Sequence, residues 1–145
     1  SGEVPDGPYD IPFGVSDIKR EGADVTIVAA SLQVVHALEA AETLSAAGIE
    51  AEVVDLRSFV PLDEEAILTS VGKTGRLLVV DEAPPRCGLT ADIAGLAADR
   101  AFASLKGPIK QVCAPHSPTP FSPELEAAYL PDIPKIKAAI KATMA

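Results

Sequence analysis

The chain has 145 residues, and 12 Lys+Arg against 21 Asp+Glu give a net charge of −9. That length fits one domain, the 48% apolar content excludes global disorder, and the acidic balance argues against nucleic acid, which needs a basic face. No apolar run approaches the roughly 20 residues of a membrane span, and 4% aromatics without Trp argue against an aromatic cage or a base-stacking platform.

Residues 1–14 place Pro5, Pro8 and Pro12 among glycines and acids. Proline fixes φ and removes a donor, so this stretch reads as an extended arm, leading from an upstream domain or, on the other reading, an ordinary loose terminus. No basic region precedes an apolar one, so no secretory signal is read. Asp17–Arg20 is expected to add an edge strand, antiparallel to the others. Residues 1–20 are then a linker arm with that strand, and residues 21–145 the domain proper.

Val25–Ala29 is a β-branched run long enough for a buried strand. Ser31 is placed to cap a helix reaching Ala47, with Val34, Ala37, Leu38, Ala41 and Leu44 at helical spacing and Gly48 ending it. Ala51–Arg57 reads as the next strand. Asp63, Glu64 and Glu65 favour the start of a second helix through its dipole, and Gly72 and Gly75 close it. Arg76–Val80 is a third strand, Thr90–Leu105 a third helix, and Ile109–Cys113 a fourth strand. Beyond residue 114 the chain is proline-rich, with a helical turn over Glu124–Tyr129 and a last helix over Lys135–Met144, whose lysines mark a solvated face. Alternating strands and helices with short loops imply an α/β fold of parallel βαβ units, with helices on both faces of the sheet.

Ligands of such sheets bind beyond the carboxyl ends of the strands. That rim gathers His36, Asp55, Arg57, Glu82 and His116. These five are read as a domain or subunit interface, with a small-molecule pocket and plain surface loop as the other readings. Asp55 and Arg57 are expected to share a strand face, as a salt bridge or as an interface contact. Sharper motifs fail. Gly72-Lys73-Thr74 lacks the first P-loop glycine, because position 67 is Ile67. Neither a G-x-G-x-x-G turn nor a G-x-S-x-G elbow occurs. Ser31, His36 and Asp55 hold no feature that makes Ser31 a nucleophile. Cys113 and His116 have ligand-like spacing, but a structural zinc site wants four ligands in two tight pairs. Cys113 reads as a core residue and Cys87 as an exposed bystander. Two cysteines make no disulfide framework, and a reducing cytoplasm is the simpler setting.

Five segments carry a family resemblance. They are Ala51–Asp63 (AEVVDLRSFVPLD), Ser70–Leu77 (SVGKTGRL), Val79–Glu82 (VVDE), Gly88–Ile93 (GLTADI) and Pro120–Pro131 (PFSPELEAAYLP). They resemble the β subunit of thiamine-diphosphate-dependent 2-oxo acid dehydrogenases. Gly2-Glu3-Val4-Pro5 resembles the linker of that family, and Ala114–Pro123 (APHSPTPFSP) is similar to its acetoin dehydrogenase members.

The resemblance implies a transketolase C-terminal-like domain: a three-layer α/β/α sandwich around a five-stranded, mostly parallel sheet. It implies a bacterial cytoplasmic parent, an E1 component using thiamine diphosphate and a divalent metal. That parent decarboxylates a 2-oxo acid, or cleaves acetoin, and acylates the lipoyl group of E2. The cofactor lies between the α subunit and the β subunit's N-terminal domain, so this chain is expected to bind no cofactor and to catalyse nothing. The partners implied are the E1 α subunit, a second β subunit and the basic E2 subunit-binding domain, which the −9 charge suits. By position, Phe102, Lys106, Met144 and Ala145 match the docking surface for E2, although relatives can carry an acid where Lys106 stands. The alternative is a free-standing α/β module that binds a small anion or nucleotide at the strand rim.

Overall fold

The computed structural model describes residues 6–144. Ala145, assigned above to docking, and the linker-like Gly2–Pro5 lie outside the described residues. The strands are β1 (Asp17–Arg20), β2 (Val25–Ala29), β3 (Ala51–Asp55), β4 (Leu77–Asp81) and β5 (Lys110–Cys113). The helices are α1 (Leu32–Ser45), α2 (Glu64–Thr74), α3 (Leu89–Arg100), α4 (Pro123–Tyr129) and α5 (Ile133–Met144). The sheet runs β1-β3-β2-β4-β5. Its β2, β3, β4 and β5 are parallel, while β1 pairs antiparallel with β3, Asp17 opposite Asp55. The five-stranded, mostly parallel sandwich expected from the sequence is the one found.

Every residue of β2 is buried, as a central strand covered on both faces requires. Alternation then sorts the side chains. Val25, Ile27, Val53, Leu78 and Val80 meet α1 and α5 through Ala37, Ala41, Leu44, Ile136 and Ile140. Val28, Val54, Leu77 and Val79 meet α2 and α3 through Ile67, Val71, Ile93 and Ala97. Each large side chain fully buried this way contributes about 1.5–3 kcal/mol.

The termini refine the expected boundaries. Ser31 is no side-chain cap: its φ of 55 turns it away from the capping geometry, and its hydroxyl makes no cap bond. The first turn is instead closed by Ala30 and Ser31 carbonyls accepting from Gln33 and Val34 N–H. At the far end, Gly48 (φ 78) lets its own N–H bond Ser45 O and the Ile49 N–H bond Leu44 O, a Schellman closure. Asp63 caps α2 through its side chain, accepting from Ala66 N at 3.1 Å, and Gly75 closes it at φ 76. Gly72 lies inside α2 and closes nothing. The third helix stops at Arg100, short of the expected Leu105, and a short 3-10 turn over Phe102–Ser104 follows. The cause is tertiary: Lys106 N–H bonds Gly75 O at 2.7 Å and pulls the chain across to the start of β4.

Because β1 runs backwards, the arm before it arrives at the carboxyl ends of the parallel strands. Gly14 N–H bonds Ser58 Oγ at 2.8 Å, and Ser16 N–H bonds the Asp63 carboxylate at 2.7 Å.

Candidate functional site

The carboxyl rim collects most of the side chains expected to matter. Asp55 ends β3, but its partner is the Arg57 backbone N–H, at 3.1 Å. The strand has already ended, and Arg57 sits at φ 56, so period two no longer applies. Its guanidinium reaches back to Asp17 at 2.6 Å, and the expected Asp55–Arg57 salt bridge is replaced by this pairing across the edge strand. The Lys19 ammonium beside Asp17, with help from Arg57, holds that carboxyl below its usual range. Glu82, just past β4, accepts from Gln33 Nε2 at 3.3 Å. His36 is half-buried on α1, and its Nδ1 is a buried atom with no partner. His116 is exposed in the loop after β5 and does not join this group by any recorded bond.

Two further features of the rim escaped sequence reasoning. Ser31, Arg57 and Cys87, which follow β2, β3 and β4, are the three non-glycine residues with positive φ among the described residues. Such backbone is uncommon and clusters at functional positions. The rim and the arm also expose large apolar side chains: Leu32, Val35, Phe59 and Val60, with Tyr9, Ile11, Phe13 and Val15 on the arm. Val60 is 90% exposed and Phe13 86%. The run of alternate apolar residues from Tyr9 to Val15 was the available signal, hidden by Pro12 and Gly14 between them.

Of the residues expected to dock E2, Phe102, Lys106 and Met144 lie at the opposite, amino end of the strands. Phe102 is 74% exposed in the 3-10 turn. Lys106 lays its stem over Gly75, where an added Cβ would stand 2.7 Å from its Cδ, and its ammonium donates to Thr74 O at 3.3 Å. Met144 follows Thr143, whose carbonyl accepts from Arg76 Nε at 3.0 Å. Lys135 is not simply solvated either: its ammonium donates to Ala128 O and Leu130 O at the end of α4.

A cleft of about 310 Å³ runs along α2 beside β1, lined in part by Glu52, Glu65, Thr69 and Lys73. Its floor is Glu52, 2% exposed in the middle of β3. The Lys73 ammonium and the Gly22 N–H answer that carboxylate, and Glu21 takes the other side of the ammonium. The two acids raise the Lys73 pKa above the ordinary lysine value. Thr26, Ser70 and Thr74 form a buried hydroxyl cluster beneath. Sequence reading took Glu52 as an ordinary strand residue. A single charge inside a fully buried run was the only signal.

The transketolase C-terminal domain family matches residues 14–136. The chain belongs to that family. It is 55% identical over 143 residues to the β subunit of an acetoin:2,6-dichlorophenolindophenol oxidoreductase of Cupriavidus necator, covering 99% of this chain and 42% of that subunit. It is 45% identical over 130 residues to the pyruvate dehydrogenase E1 component β subunit of Bacillus subtilis, covering 90% of this chain and 40% of that subunit. Among solved structures it is similar to a split-gene transketolase described as an inactive β4 tetramer, with a TM-score of 0.76 and 30% identity over 98% of this chain and 44% of that one. The chain therefore spans about two fifths of the length of these curated relatives.

Within this transketolase C-terminal domain, the chemistry on offer is narrow. Among the described residues no group of three or more His, Cys, Asp or Glu is placed to hold a metal ion, so Cys87, Cys113 and His116 do not converge. Cys113 is half-buried against Thr90 Oγ1 at 3.3 Å, and burial pushes its thiol pKa up, away from nucleophilic use. A diphosphate carried on a divalent ion needs clustered oxygen ligands and converging N–H donors. The rim has no such cluster of ligands among the described residues, and Gln33 Oε1 with the Glu82 carboxylate would repel a diphosphate rather than donate to it. These residues do not fit thiamine diphosphate, and they disfavour a small anion or nucleotide as well.

Proposed function

We propose that the chain is the assembly and partner-docking domain of the β subunit of a thiamine-diphosphate-dependent E1 component of acetoin or pyruvate dehydrogenase type. The parent enzyme cleaves acetoin or decarboxylates a 2-oxo acid and passes the acyl group to lipoyl-E2, in the bacterial cytoplasm, with cofactor and metal held outside this chain. One observation carries the reading: identity to an acetoin oxidoreductase β subunit runs along 99% of the chain, in a structure that groups exposed apolar side chains rather than catalytic ones at its strand rim.

The carboxyl rim, with His36, Asp55, Arg57, Glu82 and His116, is the surface toward the E1 α subunit and a second β subunit. The β4 assembly named for the similar transketolase supports self-association. Phe102 and Met144 form the E2-facing pole, with Ala145 assigned to the same docking by sequence alone, and −9 favours a basic partner through steering. Lys106 has a different part there, since its ammonium is engaged by Thr74 O. It shapes the pole by covering Gly75, and Phe102 supplies the anchor.

The test mixes the chain with E1 α subunit, β N-terminal domain and E2 subunit-binding domain. Sedimentation is expected to show association that Val60→Ser weakens. Calorimetry with the E2 domain is expected to show heat that Phe102→Ala removes. A chain that stays monomeric and silent with every partner sinks the reading.

A further inference from the structure

We propose that the switch point between the carboxyl ends of β2 and β4 is a socket for an arginine side chain presented by a partner polypeptide, read by Gln33 Oε1 and the Glu82 carboxylate. The inference rests on the rim being an interface and names the chemistry that interface requires.

Topology places the site. From central β2 the chain passes through α1 to β3 on one side, and from β3 through α2 to β4 on the other. Helices α1 and α3 leave β2 and β4 on opposite faces of the sheet. This is the point at which open α/β sheets take their ligands. Glu82 follows β4, Gln33 lies in the first turn of α1, and the two meet at 3.3 Å.

Polar satisfaction says what is missing. Gln33 is 1% exposed, and its Oε1 has no partner. The amide orientation follows from chemistry, because the flipped form would press Oε1 against a carboxylate oxygen. Buried acceptors without donors are rare in native proteins. His36 lies three residues further along α1, on the same helix face, with its Nδ1 also unpartnered.

Charge completes the description. Asp81 and Glu82 are adjacent and half-buried, and neither forms an ion pair among the described residues. Of the rim arginines, Arg57 is committed to Asp17 at the sheet edge, and Arg86, exposed in the loop after β4, forms no ion pair with either acid among the described residues. No cation of the described residues answers Asp81 or Glu82. An ammonium would serve as a point charge, whereas a planar guanidinium serves a carboxylate and an amide oxygen at once. Leu32 and Val35, on the same first turns of α1 as Gln33, are exposed and apolar, which suits a polypeptide and not a free ion. Entry requires a rotamer change among the half-exposed side chains of α1, a common event at interfaces.

The experiment titrates the isotope-labelled 145-residue chain with N-acetyl-arginine amide and follows the Gln33 side-chain amide, the His36 ring and residues 81–83 by NMR. Saturable shifts are expected, stronger than with N-acetyl-lysine amide. Gln33→Met is expected to weaken binding about tenfold or more, while its thermal midpoint equals or exceeds that of the parent because an unmade acceptor has gone. Glu82→Gln, which keeps the shape and drops the charge, weakens binding as well. Absence of saturable shifts, equal binding by Gln33→Met, or an equal response to the lysine probe overturns the proposal. If the probe fails while Val60→Ser still disrupts subunit association, the socket falls and the interface stands. If the chain associates with nothing, the interface reading falls first.

Discussion

The two ends of the sheet are made by the same βα units but treat their polar groups in opposite ways. At the amino end they are answered within the chain: Glu52 by Lys73 and Gly22, Glu50 by Arg20 and Ser45, Thr74 O by Lys106, Thr143 O by Arg76. At the carboxyl end lie the buried side-chain atoms without partners, Ser16 Oγ, Gln33 Oε1 and His36 Nδ1. The left-handed Ser31, Arg57 and Cys87 and the exposed Phe59 and Val60 lie there too. The amino end is finished by folding; at the carboxyl end Arg57 and Asp63 are answered by Asp17 and Ser16 while Gln33 and His36 are not, and on the reading proposed above another polypeptide finishes it. Substitutions at the amino end should therefore cost stability, and those at the carboxyl rim should cost association.

The largest effect is expected at Gly22. A Cβ there would stand 2.3 Å from Ala51 C and Glu52 N, both backbone atoms that cannot swing aside. Gly22→Ala should cost about 3 kcal/mol or more by denaturant titration. Lys73→Met comes next. It leaves the Glu52 carboxylate buried with only the Gly22 N–H, and because Lys73 is partly exposed the expected loss is about 2 kcal/mol. The Glu52→Met/Lys73→Met double variant should recover to within about 1 kcal/mol of the parent, since removing both charges removes the stranded one.

Acidity sharpens the contrast with a smaller change. Lys73 holds Glu21 below the ordinary carboxylate range, and Ser45 and then Arg20 do so for Glu50. A lowered folded pKa gives stability that is present above about pH 4.5 and lost as pH falls through the folded value. Lys73 has the opposite sign: its share is present below 10.5 and lost as pH rises through its raised value. Thermal midpoints should hold level between about pH 5 and 10 as far as these groups are concerned, fall on both sides, and lose part of the contrast in high salt. The smallest effect on folding belongs to Val60→Ser, within about 0.5 kcal/mol, with subunit association weakened in the same sample.

The fold was legible because its signals are local and repeated. Val25–Ala29 and Leu77–Asp81 are apolar runs bounded by turn residues, and α1 keeps helical spacing from Val34 to Leu44. The family segments were legible for the same reason. What was hidden depends on distant pairs. Glu52 and Lys73 are 21 positions apart and meet only when α2 lies on β3. The early end of α3 follows from a bond between Lys106 and Gly75, 31 residues apart. At the rim, the sequence pointed to Glu82 and His36 as charged or titratable groups but passed over Gln33, the partner of Glu82, because a glutamine announces nothing until burial removes its water.

The reversed edge strand has a consequence for how the molecule is wired. Had β1 run with its neighbours, the preceding arm would have met the sheet at its self-contained end. Running against them, it brings Tyr9 through Val15 to the same side as Phe59 and Val60. Any polypeptide joined ahead of the arm is thus tethered within a few residues of the incomplete face, at a local concentration that free diffusion would not supply. A single change of strand direction serves as an address label.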